Sequence, residues 1–141
     1  MTLYVESSAI LAALLGEPSG PRVQQLLDSA DVLVTSELTL IECDRALIRA
    51  GALKKLSEAD LTDRRHRLAE AVSAWQILRI ADDVVTRARQ PFPAEPIRAL
   101  DAIHLASALI ARANVPGLEL LTLDDRLRSA ATALGLPLQS T

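Results

Sequence analysis

The chain has one cysteine, Cys43, only two lysines, Lys54 and Lys55, and three aromatic residues in 141 positions. A single thiol excludes an internal disulfide and fits a reducing compartment, so the cytoplasm is the expected location. Tyr4, Trp75 and Phe92 are too few and too scattered for a platform on which bases stack. No apolar run approaches the roughly 18 residues that a membrane span needs, so no membrane role is expected. The start, MTLYVESSAI, has no basic residue ahead of its apolar stretch and does not predict a secretory leader. A glycine-rich phosphate loop, a serine-elbow motif and a CxxC pair are also missing.

Fifteen basic and 18 acidic residues leave a net charge of −3, which argues against coating nucleic acid by charge alone. An acidic active site that cuts nucleic acid is not excluded by that balance. The other 13 basic residues are all arginine, which suits two-pronged contacts to phosphate. Half of the chain is apolar and 23% is charged, the balance of a globular protein. With no linker, repeat or low-complexity tract, residues 1–141 are expected to form a single domain.

Residues 2–5 read as a short buried strand, followed by a helix from Ser7 to about Leu15 that Ser7 or Ser8 can cap. Gly16, Pro18, Gly20 and Pro21 punctuate a turn, and Val23 to Leu27 begin a second helix. Residues 31–35 form the next strand. Ser36 caps a helix through Leu47, which Gly51 ends. Ser57 and Asp60 make a capping box that opens a long charged helix towards Trp75. Residues 77–80 read as a short strand, and Asp82 starts a helix to about Arg89. The segment 91–96, PFPAEP, is a loop. A helix over 98–113 leads to a strand over 118–122. Asp124 or Asp125 caps a helix over 126–134, Gly135 stops it, and 136–139 form a candidate last strand. Short apolar strands alternating with helices predict an α/β fold, with helices on both faces of a mostly parallel sheet.

Four acids stand at the edges of these apolar segments: Glu6, Glu42, Asp101 and Asp124. In such folds, sites form beyond the carboxyl ends of the strands. Glu6 and Asp124 stand at predicted strand ends, and helices starting nearby can bring Glu42 and Asp101 to the same crevice. Carboxylates gathered there need protons or a divalent cation to offset their repulsion. Each also has a plainer role open to it. Asp124 is placed as a helix cap, or exchanges with Asp125. Asp101 lies in a first helical turn, where the helix dipole favours an acid. Glu42 can be solvated or paired with Arg45. Glu6, following an apolar strand, has the fewest such alternatives.

Asp101 and His104, spaced i, i+3, could share a metal, although a structural hydrogen bond is the commoner role for such a histidine. His66, in DRRHR, reads as surface. Cys43 has no base near it in sequence and reads as a buried thiol. A phosphoacceptor receiver domain needs an acidic pair after the first strand and a lysine after the last. Only Glu6 is in the first place, and both lysines lie mid-chain.

The segments YVESSAIL, SELTLIECDRAL, LDAIHLASAL and LLTLDDRL, in that order and spacing, resemble the four acidic blocks of the PIN domain. The length and the LDAIHLASAL block are similar to the VapC-type toxins of toxin–antitoxin pairs. The resemblance spans nearly the whole chain and implies an α/β/α sandwich carrying a Mg²⁺- or Mn²⁺-dependent ribonuclease site. It implies Glu6, Glu42, Asp101 and Asp124 as the catalytic acids, with Glu6, Asp101 and Asp124 on the metal. Ser8 and Thr122 take supporting places. It also implies an RNA substrate, a cognate antitoxin laid across the active-site groove, and a homodimer. One position departs from the family pattern: aspartate is usual where Glu6 stands, and the extra methylene carries the carboxylate further from its strand. Hard oxygen ligands suit Mg²⁺ or Mn²⁺, and Arg45, Arg49 and Arg98 are candidates to hold the RNA backbone. The alternative is a PIN-like binding module, catalytically weakened at Glu6, that keeps antitoxin or RNA binding.

Overall fold

A computed structural model describes residues 1–141. Four strands alternate with seven helices: β1 (Thr2–Val5), α1 (Ser7–Leu15), α2 (Gly20–Ser29), β2 (Val32–Ser36), α3 (Glu37–Ala52), α4 (Glu58–Val72), β3 (Gln76–Leu78), α5 (Asp82–Ala88), α6 (Ala99–Asn114), β4 (Leu118–Leu121) and α7 (Asp125–Ala133). The strands form one parallel sheet in the order β3-β2-β1-β4. Tyr4 pairs with Val34 on one side and Leu120 on the other, while Val5 faces Leu121.

Alternation along the strands divides the interior in two. Tyr4, Val34, Leu118 and Leu120 point to a layer built by α6 and α7, where Ala102, Leu105, Ala108 and Leu127 meet them. Leu3, Val5 and Leu121 point the other way, to Ile10, Val23, Leu47 and Leu68 of α1 to α4. Small residues along α6 let its backbone lie close to the sheet. No helix is long and apolar enough to cross a membrane. The expected α/β/α layering is therefore present.

The chain direction reverses about β1. From β1 it steps outward to β2 and β3, then crosses back through α5 and α6 to β4 on the other side of β1. The gap between the carboxyl ends of β1 and β4 is the crevice in which open α/β sheets place their sites. The proline-rich segment 91–96 is irregular and ends in a cis Glu95–Pro96 bond. Glu95 fastens it by accepting from the amides of Phe92 (3.1 Å) and Ile97 (3.0 Å), which sets the start of α6.

Several boundaries differ from those expected. Gly51 does not end α3; it lies in the last turn, where a Cβ would come within 2.8 Å of the Leu61 side chain. Its role is close packing of α3 on α4. The left-handed position falls instead on Lys54 (φ 57°), with Lys55 N–H bonded to Ala50 O and Lys54 N–H to Gly51 O. That is a Schellman ending with lysine where glycine is usual. Gly20 and Pro21 belong to the first turn of α2 rather than to the preceding loop. The strand expected at 77–80 is Gln76–Leu78, because the Ile80 amide leaves the sheet to donate to Glu37. Residues 136–139 make one bridge, Leu120 to Leu138, since Pro137 has no N–H to extend a ladder. Of the two candidate caps, Asp124 is the N-cap and Asp125 the first helical residue of α7.

Two stability changes follow. A Cβ on Gly20 would stand 2.6 Å from the Ala12 carbonyl oxygen. Gly20→Ala is therefore expected to destabilise the fold by about 1–3 kcal/mol. Lys54→Gly relieves a left-handed lysine and is expected to stabilise by roughly 0.5–1 kcal/mol. Urea midpoints at constant m-value check both.

Candidate active site

Glu6 follows β1 directly and serves as the N-cap of α1, its side chain turned back to accept from the Ser8 amide at 3.1 Å. It is only 5% exposed. Four donors compensate its burial. Ser7 Oγ donates to Oε1 at 2.5 Å, and Ser8 Oγ (2.5 Å), Thr122 Oγ1 (2.7 Å) and the Ser8 amide all donate to Oε2. Each hydroxyl has one proton, so Ser8 and Thr122 spend theirs on Glu6 and accept from elsewhere. Ser8 Oγ accepts from the Leu123 amide at 2.8 Å, and Thr122 Oγ1 from the Asp124 amide at 3.1 Å. The loop after β4 is thereby stitched to the carboxylate after β1. Such charge-assisted bonds offset a desolvation cost of several kcal/mol.

Glu42 comes from α3, in the opposite helical layer from α6. Its Oε1 lies 2.5 Å from His104 Nε2, and its side chain is 26% exposed. His104 is 2% exposed on α6, with Nδ1 3.1 Å from the Tyr4 hydroxyl and Nε2 4.0 Å from Glu6 Oε1. Glu6, Glu42 and His104 bring one ligand atom each to within 4.8 Å of one another. Neither glutamate pairs with a lysine or arginine. Glu42 is thus held by His104 and not by Arg45.

Asp101 and Asp124 stand outside that group. Asp101, one turn before His104, has a largely covered side chain 3.3 Å from Arg98 Nε. It lines an open cavity of about 410 Å³ together with Arg98, Arg126 and Ser129. Asp124 Oδ1 accepts from the amides of Arg126 (2.8 Å) and Leu127 (3.1 Å), the cap that opens α7. Its own amide joins it to Thr122 and so to Glu6. A second cleft of about 270 Å³, lined mainly by apolar residues of α1, α2 and α4, holds none of the four acids.

Burial, reinforced by the charge of Glu6, pushes the Tyr4 phenol well above its ordinary value. Burial, followed by the charges of Glu6, Glu42 and Asp44, does the same to the Cys43 thiol. Cys43 is a buried thiol and no nucleophile, as expected. His66 is exposed, also as expected, and lies 3.4 Å from Glu70. The contact of His104 with Glu42 was not legible. The i, i+3 spacing linked His104 to Asp101, whereas the fold aims the ring at a residue 62 positions away. Neither Ser7 nor Ser8, the two expected caps, opens α1: Glu6 takes that place and both hydroxyls turn to its carboxylate, for which the serine pair after the acid is the only signal.

The oxygen donors here are two close carboxylates that no lysine or arginine pairs with, and they fit a hard divalent cation such as Mg²⁺ or Mn²⁺.

Residues 3–133 match the PIN domain family. Over 134 residues the chain is 35% identical to Ribonuclease VapC46 of Mycobacterium tuberculosis, covering 95% of this chain and 93% of that one. In structure it resembles a FitAB complex bound to a DNA fragment, with a TM-score of 0.73 at 17% identity over 99% of this chain and 94% of the other. It also resembles a toxin–antitoxin complex from Klebsiella pneumoniae, with a TM-score of 0.61 at 23% identity over 92% and 93% of the two chains. The sheet order, the acidic crevice at its switch point and the sequence match together place this chain in the PIN-domain family, among the VapC-type proteins.

Proposed function

We propose that this chain is a divalent-metal-dependent endoribonuclease and the toxin of a toxin–antitoxin pair. One observation carries the proposal: Glu6 and Glu42 meet at the topological switch point with no lysine or arginine to neutralise them. The VapC ribonuclease relative and the likeness to a toxin–antitoxin complex support the reading. In it, Glu6, Asp101 and Asp124 hold Mg²⁺ or Mn²⁺, and Glu42 completes the catalytic set. When bound, the ion lowers the pKa of a water and neutralises charge on the scissile phosphate.

The remaining work falls to the chain's own residues. Ser8 and Thr122 fix the Glu6 carboxylate, removing the freedom of its extra methylene. Glu42 has Oε1 committed to His104, which leaves Oε2 to take a proton from the attacking water. Arg98 and Arg126, lining the cavity beside Asp101, hold backbone phosphates of the RNA. A cognate antitoxin and a second copy of the chain are the protein partners in this reading, and the cytoplasm is its location.

A second reading, a binding module weakened at Glu6, draws on one feature. Asp101 is already paired with Arg98, and Asp124 already caps α7, so two of the three ligand carboxylates are engaged.

With Mg²⁺ or Mn²⁺ the purified protein is expected to cleave RNA, and EDTA to stop it. Asp101→Asn should slow cleavage by more than about 100-fold; equal rates in a gel-based cleavage assay would remove the assignment. Glu6→Asp is expected to stay within about tenfold of the wild type, because the hydroxyl clamp already positions the longer side chain. A silent wild type revived by Glu6→Asp would establish the binding-module reading instead.

A further inference from the structure

Tyr4, His104 and Glu42 form a polar chain that starts in the sheet and crosses from one helical layer to the other. Tyr4 is fully buried on the α6 side of β1, His104 is 2% exposed on α6, and Glu42 is on α3. The tyrosine and histidine rings meet edge to face at a centroid distance of 6.3 Å. Hydroxyls of Ser36, Thr39 and Ser107 lie around the phenol. Those of Thr39 and Ser107 are buried and make no hydrogen bond of ordinary geometry. Thr39 precedes Glu42 by one turn of α3, and Ser107 follows His104 by one turn of α6. Both hydroxyls flank the phenol, one from each of the two helical layers that the polar chain joins.

The direction of the bonds follows from what faces each ring nitrogen. Nε2 looks at Glu42 Oε1 at 2.5 Å and Glu6 Oε1 at 4.0 Å. A lone pair on Nε2 would point at carboxylate oxygen, so Nε2 bears the proton and donates it. In the neutral ring Nδ1 then accepts from the Tyr4 hydroxyl. A protonated Nε2 has no lone pair to give a metal ion, which sets His104 apart from the carboxylates it touches.

We propose that His104 is the positioning residue of this site, its Nε2–H holding Glu42 at the crevice while the Tyr4 hydroxyl fixes the ring. His104 acts on a bound cation only through Glu42, whose charge it keeps beside Glu6, and stays outside its coordination sphere. The inference rests on the metal-site reading above for its consequence, but the ring geometry is tested without it.

Long-range ¹H–¹⁵N spectra of the metal-free full chain should show His104 protonated at Nε2, and the proton should remain when Mg²⁺ is added. Mn²⁺ affinity, followed by electron paramagnetic resonance, should fall about 10- to 100-fold in His104→Asn and His104→Leu. His104→Gln, whose amide N–H can stand near the Nε2 position, should stay within about threefold of the wild type, since the donor is kept. Tyr4→Phe should keep the proton on Nε2, which the carboxylates hold, and broaden the ring resonances as the ring loses its anchor. Unfolding midpoints of each variant separate a lost fold from a lost donor. An unprotonated Nε2, loss of its proton on adding Mg²⁺, or equal weakening in His104→Gln and His104→Asn would overturn the proposal. The spectrum of the metal-free chain decides it even where no ion binds and RNA stays uncleaved, so the two readings fail separately.

Discussion

A buried carboxylate governs the architecture of this crevice. Glu6 lies where an apolar strand ends and a helix begins, shielded from water, and its charge has to be met by the chain itself. Three hydroxyls and an amide meet it. Two of those hydroxyls bind backbone amides of the β4–α7 loop in turn. The path of that loop, and with it the place of Asp124, is thus tied to the first acid. Removing a single donor would leave part of a buried charge uncompensated, a larger penalty than the loss of one surface hydrogen bond.

The four acids are not equivalent in their surroundings. Glu6 is clamped and dry. Glu42 is partly exposed and leans on an imidazole. Asp101 faces an arginine at the edge of an open cavity, and Asp124 spends one oxygen on a helix cap. Glu6 and Glu42 face each other with no lysine or arginine beside them, only the His104 imidazole. The other two have partners that must share them with any ion. In the proposed reading, a cation that draws on Asp124 would loosen its hold on two amides, which would couple ion binding to local order at α7.

Most of the fold was legible because the strands are short and largely apolar, and three of the four lead to a residue that caps the next helix. β1, α1 and α6 carry their own punctuation, and the order of strands and helices already implied a layered parallel sheet. Boundaries were lost where tertiary contact outweighed local preference. Gly51 looked like a helix stop but serves the packing of α3 on Leu61, and Lys54 accepted the strained turn. Four acids stood out in the sequence, but not the contacts they make: the structure groups Glu6 and Glu42 with His104 and leaves Asp101 and Asp124 beside other partners. That His104 would meet Glu42 depends on α6 and α3 approaching from opposite layers, and no spacing within either segment encodes it. Ser8 and Thr122 stood out as supports; the part played by Ser7 did not.

The clamp on Glu6 joins residues 116 positions apart in a chain of 141. During synthesis the amino-terminal half can fold around β1 and β2, yet Glu6 lacks its partner on β4 until residue 122 has been made. The crevice is therefore completed among the last events of chain assembly, and a truncated product lacks it altogether. For a protein proposed to cut RNA, that order of events leaves the unfinished chain without the clamp on its first acid.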